Sequence, residues 1–111
     1  MATSLSFVTY VIDQARGPWN LRERKMFGEY MVYVNDKPIL LVCDDQVFVK
    51  IVPELDELMA EAEVGAPYEG ARDHYLLDID EADLARAVIA VLEPITPLPK
   101  PRKPKTTRGP V

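Results

Sequence analysis

Residues 25–51 decide the fold, and they read KMFGEYMVYVNDKPILLVCDDQVFVKI. Residues 30–34 and 46–51 carry apolar side chains at every second position, as β-strands do, and residues 38–43 form a continuous apolar run. Short loops rich in Asn and Asp separate these segments, and loops this short join antiparallel neighbours, because a parallel crossover needs about a dozen residues. The stretch predicts an antiparallel meander of three strands, with a short further strand at 25–27.

The segments on either side of the meander predict helices and one more strand. Residues 4–15 place apolar side chains on one helical face, and residues 53–62 repeat such a stripe behind an opening proline. Residues 72–79 have the composition of a strand, and residues 80–93 that of a last helix. The predicted class is α+β, with an antiparallel sheet of about four to five strands flanked by helices in the order α-β-β-β-β-α-β-α.

Two acidic groups stand out. Residues 53–63 carry five carboxylates and no basic residue, which indicates a solvated acidic face; a docking face for a basic partner is the alternative. The acidic residues within 78–83 lie where the last helix begins, and we interpret them as capping residues that also stabilise the helix dipole.

The chain combines an acidic body with a basic tail. Its net charge is −5, but residues 1–93 hold all 18 acids and only 8 of the 13 Lys and Arg residues, a balance of −10. Residues 94–111 hold six of the ten prolines and no acid, so we expect one domain at 1–93 and a flexible, extended tail at 94–111. The candidate contact residues of the tail are its five cations: Lys100, Arg102, Lys103, Lys105 and Arg108. They predict weak, salt-sensitive contact with nucleic acid, whereas the acidic body would repel phosphate.

The residue inventory argues against catalysis and metal binding. The chain has one histidine, His74, and one cysteine, Cys43, and its sequence contains no glycine-rich phosphate loop. Cys43 ends an apolar strand, so we expect an inert, buried thiol. These observations predict no enzymatic activity, no metal and no cofactor. Because the sequence shows no signal peptide and no apolar run of about 18 residues, we also expect no membrane association and a cytoplasmic location.

Five short segments resemble, in order, the TfoX N-terminal domain family, which is named for a regulator of bacterial competence. The resemblance covers about residues 20–105. Its segments are KMFGEY (25–30), VYVNDKP (32–38), LVCDDQVFVK (41–50), APYEGAR (66–72) and LPKPRKPK (98–105), the last typical of one branch of the family. The resemblance implies an α+β fold similar to that of secretion chaperones, and a regulatory role without catalysis.

Two hypotheses about function stay open. The first is a regulatory or adaptor domain that binds another protein; the resemblance and the uncovered edges of the predicted sheet also suggest a homodimer. The second is a module that binds a small ligand or, weakly, nucleic acid. The candidate binding surface of such a module consists of the bend at 26–30, a lysine at a strand end and the loop at 68–72: Met26, Phe27, Gly28, Glu29, Tyr30, Lys50, Tyr68 and Arg72. A deep apolar pocket would favour a ligand, and a flat apolar patch a protein partner.

Overall fold

The computed structural model describes residues 4–26 and 29–98. In this part of the chain two α-helices accompany one sheet of six antiparallel strands, in the order β1-β2-β3-β4-β6-β5. The helices are α1 (Leu5–Gln14) and α2 (Ala82–Ile95), with a 3₁₀ helix at Pro53–Leu55. The strands are β1 (Leu21–Met26), β2 (Glu29–Val34), β3 (Lys37–Cys43), β4 (Gln46–Val49), β5 (Val64–Gly65) and β6 (His74–Leu77). The predicted α+β class and antiparallel sheet are confirmed.

Two tight turns set the register of the central strands. They are the two-residue loops at 35–36 and 44–45, and the residues flanking each loop pair directly across it. The φ angles are 51° and 68° in the first loop and 53° and 56° in the second. Two successive positive φ angles are typical of the hairpin turn that matches the twist of antiparallel strands, and Asn and Asp tolerate this conformation better than other residues with side chains. The predicted meander therefore follows from its turn residues.

The core lies between one face of the sheet and the two helices. In β2, Tyr30, Val32 and Val34 are buried, while the residues between them are only partly buried. Leu40 and Val42 of β3 lie opposite Val32 and Tyr30 and belong to the same cluster. The helices add Val8 and Val11 from α1 and Ala85, Val88, Ile89 and Leu92 from α2. The alternation along β2 thus separates a core face from a second face.

The helix predicted at 53–62 is present only as a short turn. Pro53–Leu55 is 3₁₀, and the next residues continue as turns with one α-type hydrogen bond, from the Met59 amide to the Leu55 carbonyl at 2.8 Å. Leu55 and Met59 are buried, as the apolar stripe predicts. The carboxylates of this segment, however, recur at spacings of three and four residues without a base. Such like-charge pairs destabilise a helix that is already too short to be stable alone.

Several element boundaries differ from the sequence-based expectation, and three of the differences have a clear physical reason. β1 begins at Leu21 rather than at residue 25. The sequence does not reveal its first residues as a strand, because they are largely charged and exposed and show no apolar alternation. β6 is shorter than predicted and covers His74–Leu77. α2 continues through Pro94, since a proline in the last turn interrupts the bond to only one carbonyl. Thr96 then closes the helix, because its amide and its hydroxyl both donate to the Leu92 carbonyl, at 2.9 Å and 2.7 Å.

Several predictions fall on residues outside the described ranges. These are Phe27 and Gly28 of the candidate surface, and the five tail cations Lys100, Arg102, Lys103, Lys105 and Arg108. The division of the chain into a domain at 1–93 and a flexible tail at 94–111 stays a prediction.

Candidate functional site

Three of the predicted surface residues meet at a half-open cavity of about 420 Å³. Met26 ends β1, Glu29 begins β2, and Tyr68 comes from the loop between β5 and β6. Leu41 and Cys43 of β3 complete the described lining. We call this concave surface the Tyr68 cavity.

The Tyr68 cavity lies on the second face of the sheet, opposite the helices. Tyr30 of β2 pairs with Val42 of β3, and both belong to the core cluster. Because side chains alternate between the faces of a strand, Glu29 next to Tyr30 is directed to the other face. The same holds for Leu41 and Cys43, which flank Val42. The cavity is therefore separate from the core beneath the helices.

The loop between β5 and β6 carries Tyr68 to the edge of the cavity. Pro67 is buried, whereas the next residue, Tyr68, is 58% exposed. The Ala71 amide donates to the Tyr68 carbonyl at 3.0 Å, and Gly70 closes the turn with a φ of 87°, which side chains rarely tolerate. The tyrosine is thus held through its backbone while much of its side chain stays accessible.

Cys43 is buried, and its chemistry is that of a lining residue. Burial is the main cause that raises the pKa of its thiol to about 12. The Glu29 carboxylate is the second cause, through its charge and by accepting a hydrogen bond from the thiol. Since the thiolate is the nucleophilic form, a thiol with this pKa is unreactive at neutral pH.

The single histidine is not positioned to activate the cysteine. His74 begins β6, and its Nδ1 lies 2.9 Å from the Arg72 carbonyl oxygen. Cys43 ends β3, and β4 lies between β3 and β6. The first residue of β4 pairs with Cys43, and its last residue pairs with Tyr75 near the start of β6. Two strand spacings and several residues of rise separate the side chains, on the order of 15 Å. A Cys43–His74 dyad does not form.

The other predicted surface residues lie away from the Tyr68 cavity. Tyr30 is 9% exposed and packs in the core. Lys50 follows β4 and Arg72 precedes β6; both are exposed, and neither belongs to the described lining. Their part in binding stays a prediction.

The basic edge strand is partly engaged by its own sheet. The Arg22 guanidinium lies 4.4 Å from the centre of the Tyr33 ring, and its Nε is 3.5 Å from Asp36 Oδ1. Arg24 and Lys25 are exposed on the same strand. Because Arg22 already has an aromatic and an acidic partner, the strand offers fewer available cations to phosphate than its composition indicates.

Leu41 and Cys43 are lining residues that the sequence analysis does not assign to the surface. The sequence feature that could have identified them is the run at 38–43. This run is apolar on both faces of the strand, so it places apolar side chains on the second face of the sheet as well. A pattern within one strand does not show which loop crosses that face.

Neither a metal-ligating cluster nor a membrane-spanning helix occurs in the part of the chain that the structure describes. Among the described residues, no group of three or more His, Cys, Asp or Glu side chains could hold a metal ion. Over residues 4–26 and 29–98, no helix has the length and apolar character to cross a membrane.

Comparison with known proteins places the chain in a family. Residues 14–85 match the TfoX N-terminal domain. A relative from Spirochaeta aurantia, described as "Uncharacterized 12.7 kDa protein in trpE 5'region", is 37% identical over 108 residues, covering 96% of this chain and 94% of the relative. No solved structure matches the chain, so the similarity to secretion chaperones stays a prediction. The family match covers most of the chain and agrees with the segments that resemble it: the protein belongs to the TfoX N-terminal domain family.

Proposed function

We propose that this protein is a non-catalytic regulatory or adaptor domain that binds a protein partner through the Tyr68 cavity. One observation carries the proposal: Tyr68 is 58% exposed at the edge of a half-open apolar surface, on the sheet face that the helices do not cover, where its ring is accessible to a partner protein. Exposed tyrosines at the edge of apolar pockets are typical anchors in protein interfaces. Membership in a family named for a competence regulator supports a regulatory role.

The chemistry of the lining defines what the partner presents. Met26, Leu41 and Cys43 provide an apolar surface, and Glu29 provides a carboxylate beside it. An apolar side chain of the partner, next to a hydrogen-bond donor or a positive charge, complements this combination. The raised pKa of Cys43 and its separation from His74 support binding rather than nucleophilic chemistry.

A small apolar ligand is the second candidate, because the cavity is concave rather than flat. Its volume of about 420 Å³ lies within the usual range of small-molecule pockets, roughly 300–1,000 Å³. Native mass spectrometry of the protein from its producing organism tests this candidate. A bound low-mass compound that is lost in Leu41→Gln would favour it over a protein partner.

Photo-crosslinking tests the protein-binding proposal directly. A photoreactive phenylalanine analogue replaces Tyr68 in one variant and Ala90, exposed on α2, in the control variant. We expect irradiation in the producing organism to give a specific protein adduct from position 68 and none from position 90. An adduct with a second copy would assign the cavity to a homodimer. No adduct from position 68, or the same adducts from both positions, would contradict the proposal.

A further inference from the structure

A second concave surface lies at the opposite end of β6 from His74. A groove of about 420 Å³ runs beside the end of β6, and a smaller one of about 160 Å³ adjoins it. The two share Glu61, Ala62, Leu76 and Asp78 in their linings, so they form one continuous surface. We call it the acidic groove.

The acidic groove combines an apolar floor with a carboxylate rim. Phe7, Val47 and Leu76 are among its apolar residues, and no basic residue occurs in its described lining. The rim carboxylates come from three separate segments of the chain: Asp45, Glu61, Glu63, Asp78 and Asp80. The fold therefore brings together the two acidic groups that the sequence shows apart, at 53–63 and at 78–83.

Local hydrogen bonds hold three of these carboxylates in place. The Ser4 amide donates to Asp45 Oδ1 at 3.0 Å, and the Asp80 amide donates to Asp78 Oδ1 at 3.1 Å. The Tyr10 hydroxyl donates to Asp80. The donors to Asp78 and Asp80 are a backbone amide and a hydroxyl group, so these bonds orient the two carboxylates without neutralising them. The rim therefore keeps negative charge above an apolar floor.

We propose that the acidic groove binds the basic, proline-rich segment of the same molecule, residues 103–110. This segment has the complementary chemistry, with three cations and no acid. In a polyproline II helix of three residues per turn, Lys103, Pro104 and Lys105 point in three different directions, and Arg108 repeats the direction of Lys105. In that conformation Pro104, Thr107 and Pro110 would form one edge between two edges that carry cations, which matches an apolar floor below carboxylates.

The chain is long enough for this contact. The groove reaches Asp80, just before α2 begins, and the described chain ends at Leu98, just after α2 ends. The 14 residues of α2 span about 21 Å. Ten residues in polyproline II conformation, from Leu98 to Arg108, span about 31 Å. The chain is therefore long enough for residues from about Pro104 onward to reach the groove, and the short tether would keep their local concentration high.

Docking of the segment should weaken the binding of nucleic acid by the tail. Cations held on carboxylates of the body are not available to phosphates, so the intact chain binds nucleic acid more weakly than the isolated tail peptide. The contact itself is reversible and sensitive to salt, because exposed ion pairs are individually weak and screened.

Paramagnetic relaxation enhancement in the full-length chain tests the proposal. A nitroxide is attached to Val111→Cys, just beyond the proposed binding segment; the buried thiol of Cys43 does not compete for the label. We expect selective loss of amide signals at Gln46, Ala62 and Asp78. The signals should return at about 1 M salt, where the screening length falls to about 3 Å.

A matched pair of charge variants tests whether the rim carboxylates hold the segment. Glu61→Gln with Glu63→Gln should restore the groove signals, whereas Glu54→Gln with Glu57→Gln, the same charge change outside the described lining, should not. Signal loss spread evenly over the domain, no loss at all, or no response to the rim variant would overturn the proposal. A mixture of isotope-labelled protein and separately spin-labelled protein should show no loss; loss there would assign the groove to a second copy instead.

Discussion

The Lys37 ammonium group lies 3.0 Å from Glu93 Oε2 and 2.8 Å from the Glu93 carbonyl oxygen, and so ties the turn between β2 and β3 to the last turn of α2. The carbonyl is one that a helix end leaves without an intrahelical partner. Asn35 of the same turn donates to the carboxylate at 3.4 Å. The two charged side chains are only 19% and 25% exposed, so this is the most enclosed ion pair of the described chain.

Replacing Lys37 should destabilise the domain in a way that depends on pH. The hydrogen bonds from Lys37 and Asn35 lower the pKa of Glu93, despite the opposing effect of burial. A carboxylate with a lowered pKa in the folded state stabilises above its unfolded pKa, and this stabilisation is lost as the pH falls through the folded value. Lys37→Met should therefore lower the melting temperature most near pH 7, and the difference from wild type should shrink below about pH 4. Lys50→Met, at an exposed position, is the control. A Lys37→Met difference that stays constant from neutral to acid pH would contradict this account.

Cys43 should react with thiol reagents only after unfolding. Its pKa of about 12, compared with an ordinary value near 8.5, leaves almost no thiolate in the native protein up to about pH 9. Labelling with an iodoacetamide, followed by mass spectrometry, should be slow in buffer and fast in denaturant. A cysteine introduced at Ala90 should label quickly in both conditions. Rapid native labelling of Cys43 would show that the Tyr68 cavity opens far enough to expose it.

The segment after β4 should stabilise the domain through the burial of its apolar side chains rather than through helix formation. Met59 is 2% exposed and Leu58 is 38% exposed, so the two neighbours make a matched pair. Met59→Ala should lower the free energy of unfolding by about 2–5 kcal/mol, because it leaves a cavity in the core. Leu58→Ala should cost less than about 1 kcal/mol. Urea denaturation of both variants measures the difference, and equal losses would contradict the assigned packing.

The turn between β2 and β3 should respond to the conformational preference of residue 36. Asp36 has a φ of 68°, a region that β-branched residues avoid. Asp36→Val should therefore lower the free energy of unfolding by about 1–2 kcal/mol relative to Asp36→Gly, which adopts this conformation without strain. Both variants remove the exposed contact to Arg22, so their comparison isolates the backbone effect. The same stability for both would refute the assigned turn.

The sequence predicts the meander well because its signals are local. The period of two in residues 30–34 places Val32 and Val34 in the core, and the Asn and Asp residues of the turns tolerate positive φ. β1 is underpredicted for the converse reason: Arg22, Glu23 and Arg24 are exposed at the sheet edge, where no apolar alternation is needed. The apolar stripe at 53–62 predicts that Leu55 and Met59 are buried, but the backbone conformation depends on repulsion among neighbouring carboxylates.

The candidate site is less predictable because it depends on distant parts of the chain. Met26 and Glu29 are close in sequence, but their contact with the Tyr68 cavity requires the path of the loop between β5 and β6. Tyr30 shows the limit of a local motif: it belongs to the same bend as Glu29, yet strand alternation directs it into the core. The acidic groove, too, becomes visible only when the fold brings separate acidic segments together.

The affinity of the crosslinked partner tests the central claim, that the Tyr68 cavity is the binding surface. Isothermal titration calorimetry would compare the purified partner against wild type, Leu41→Gln inside the cavity, and Leu5→Gln at a leucine that is 60% exposed on α1. We expect Leu41→Gln to weaken binding by about tenfold or more, because a polar group in an apolar anchor pocket loses its hydrogen bonds to water. Leu5→Gln should bind as wild type does. Unchanged affinity in Leu41→Gln, with the protein folded, would contradict the account.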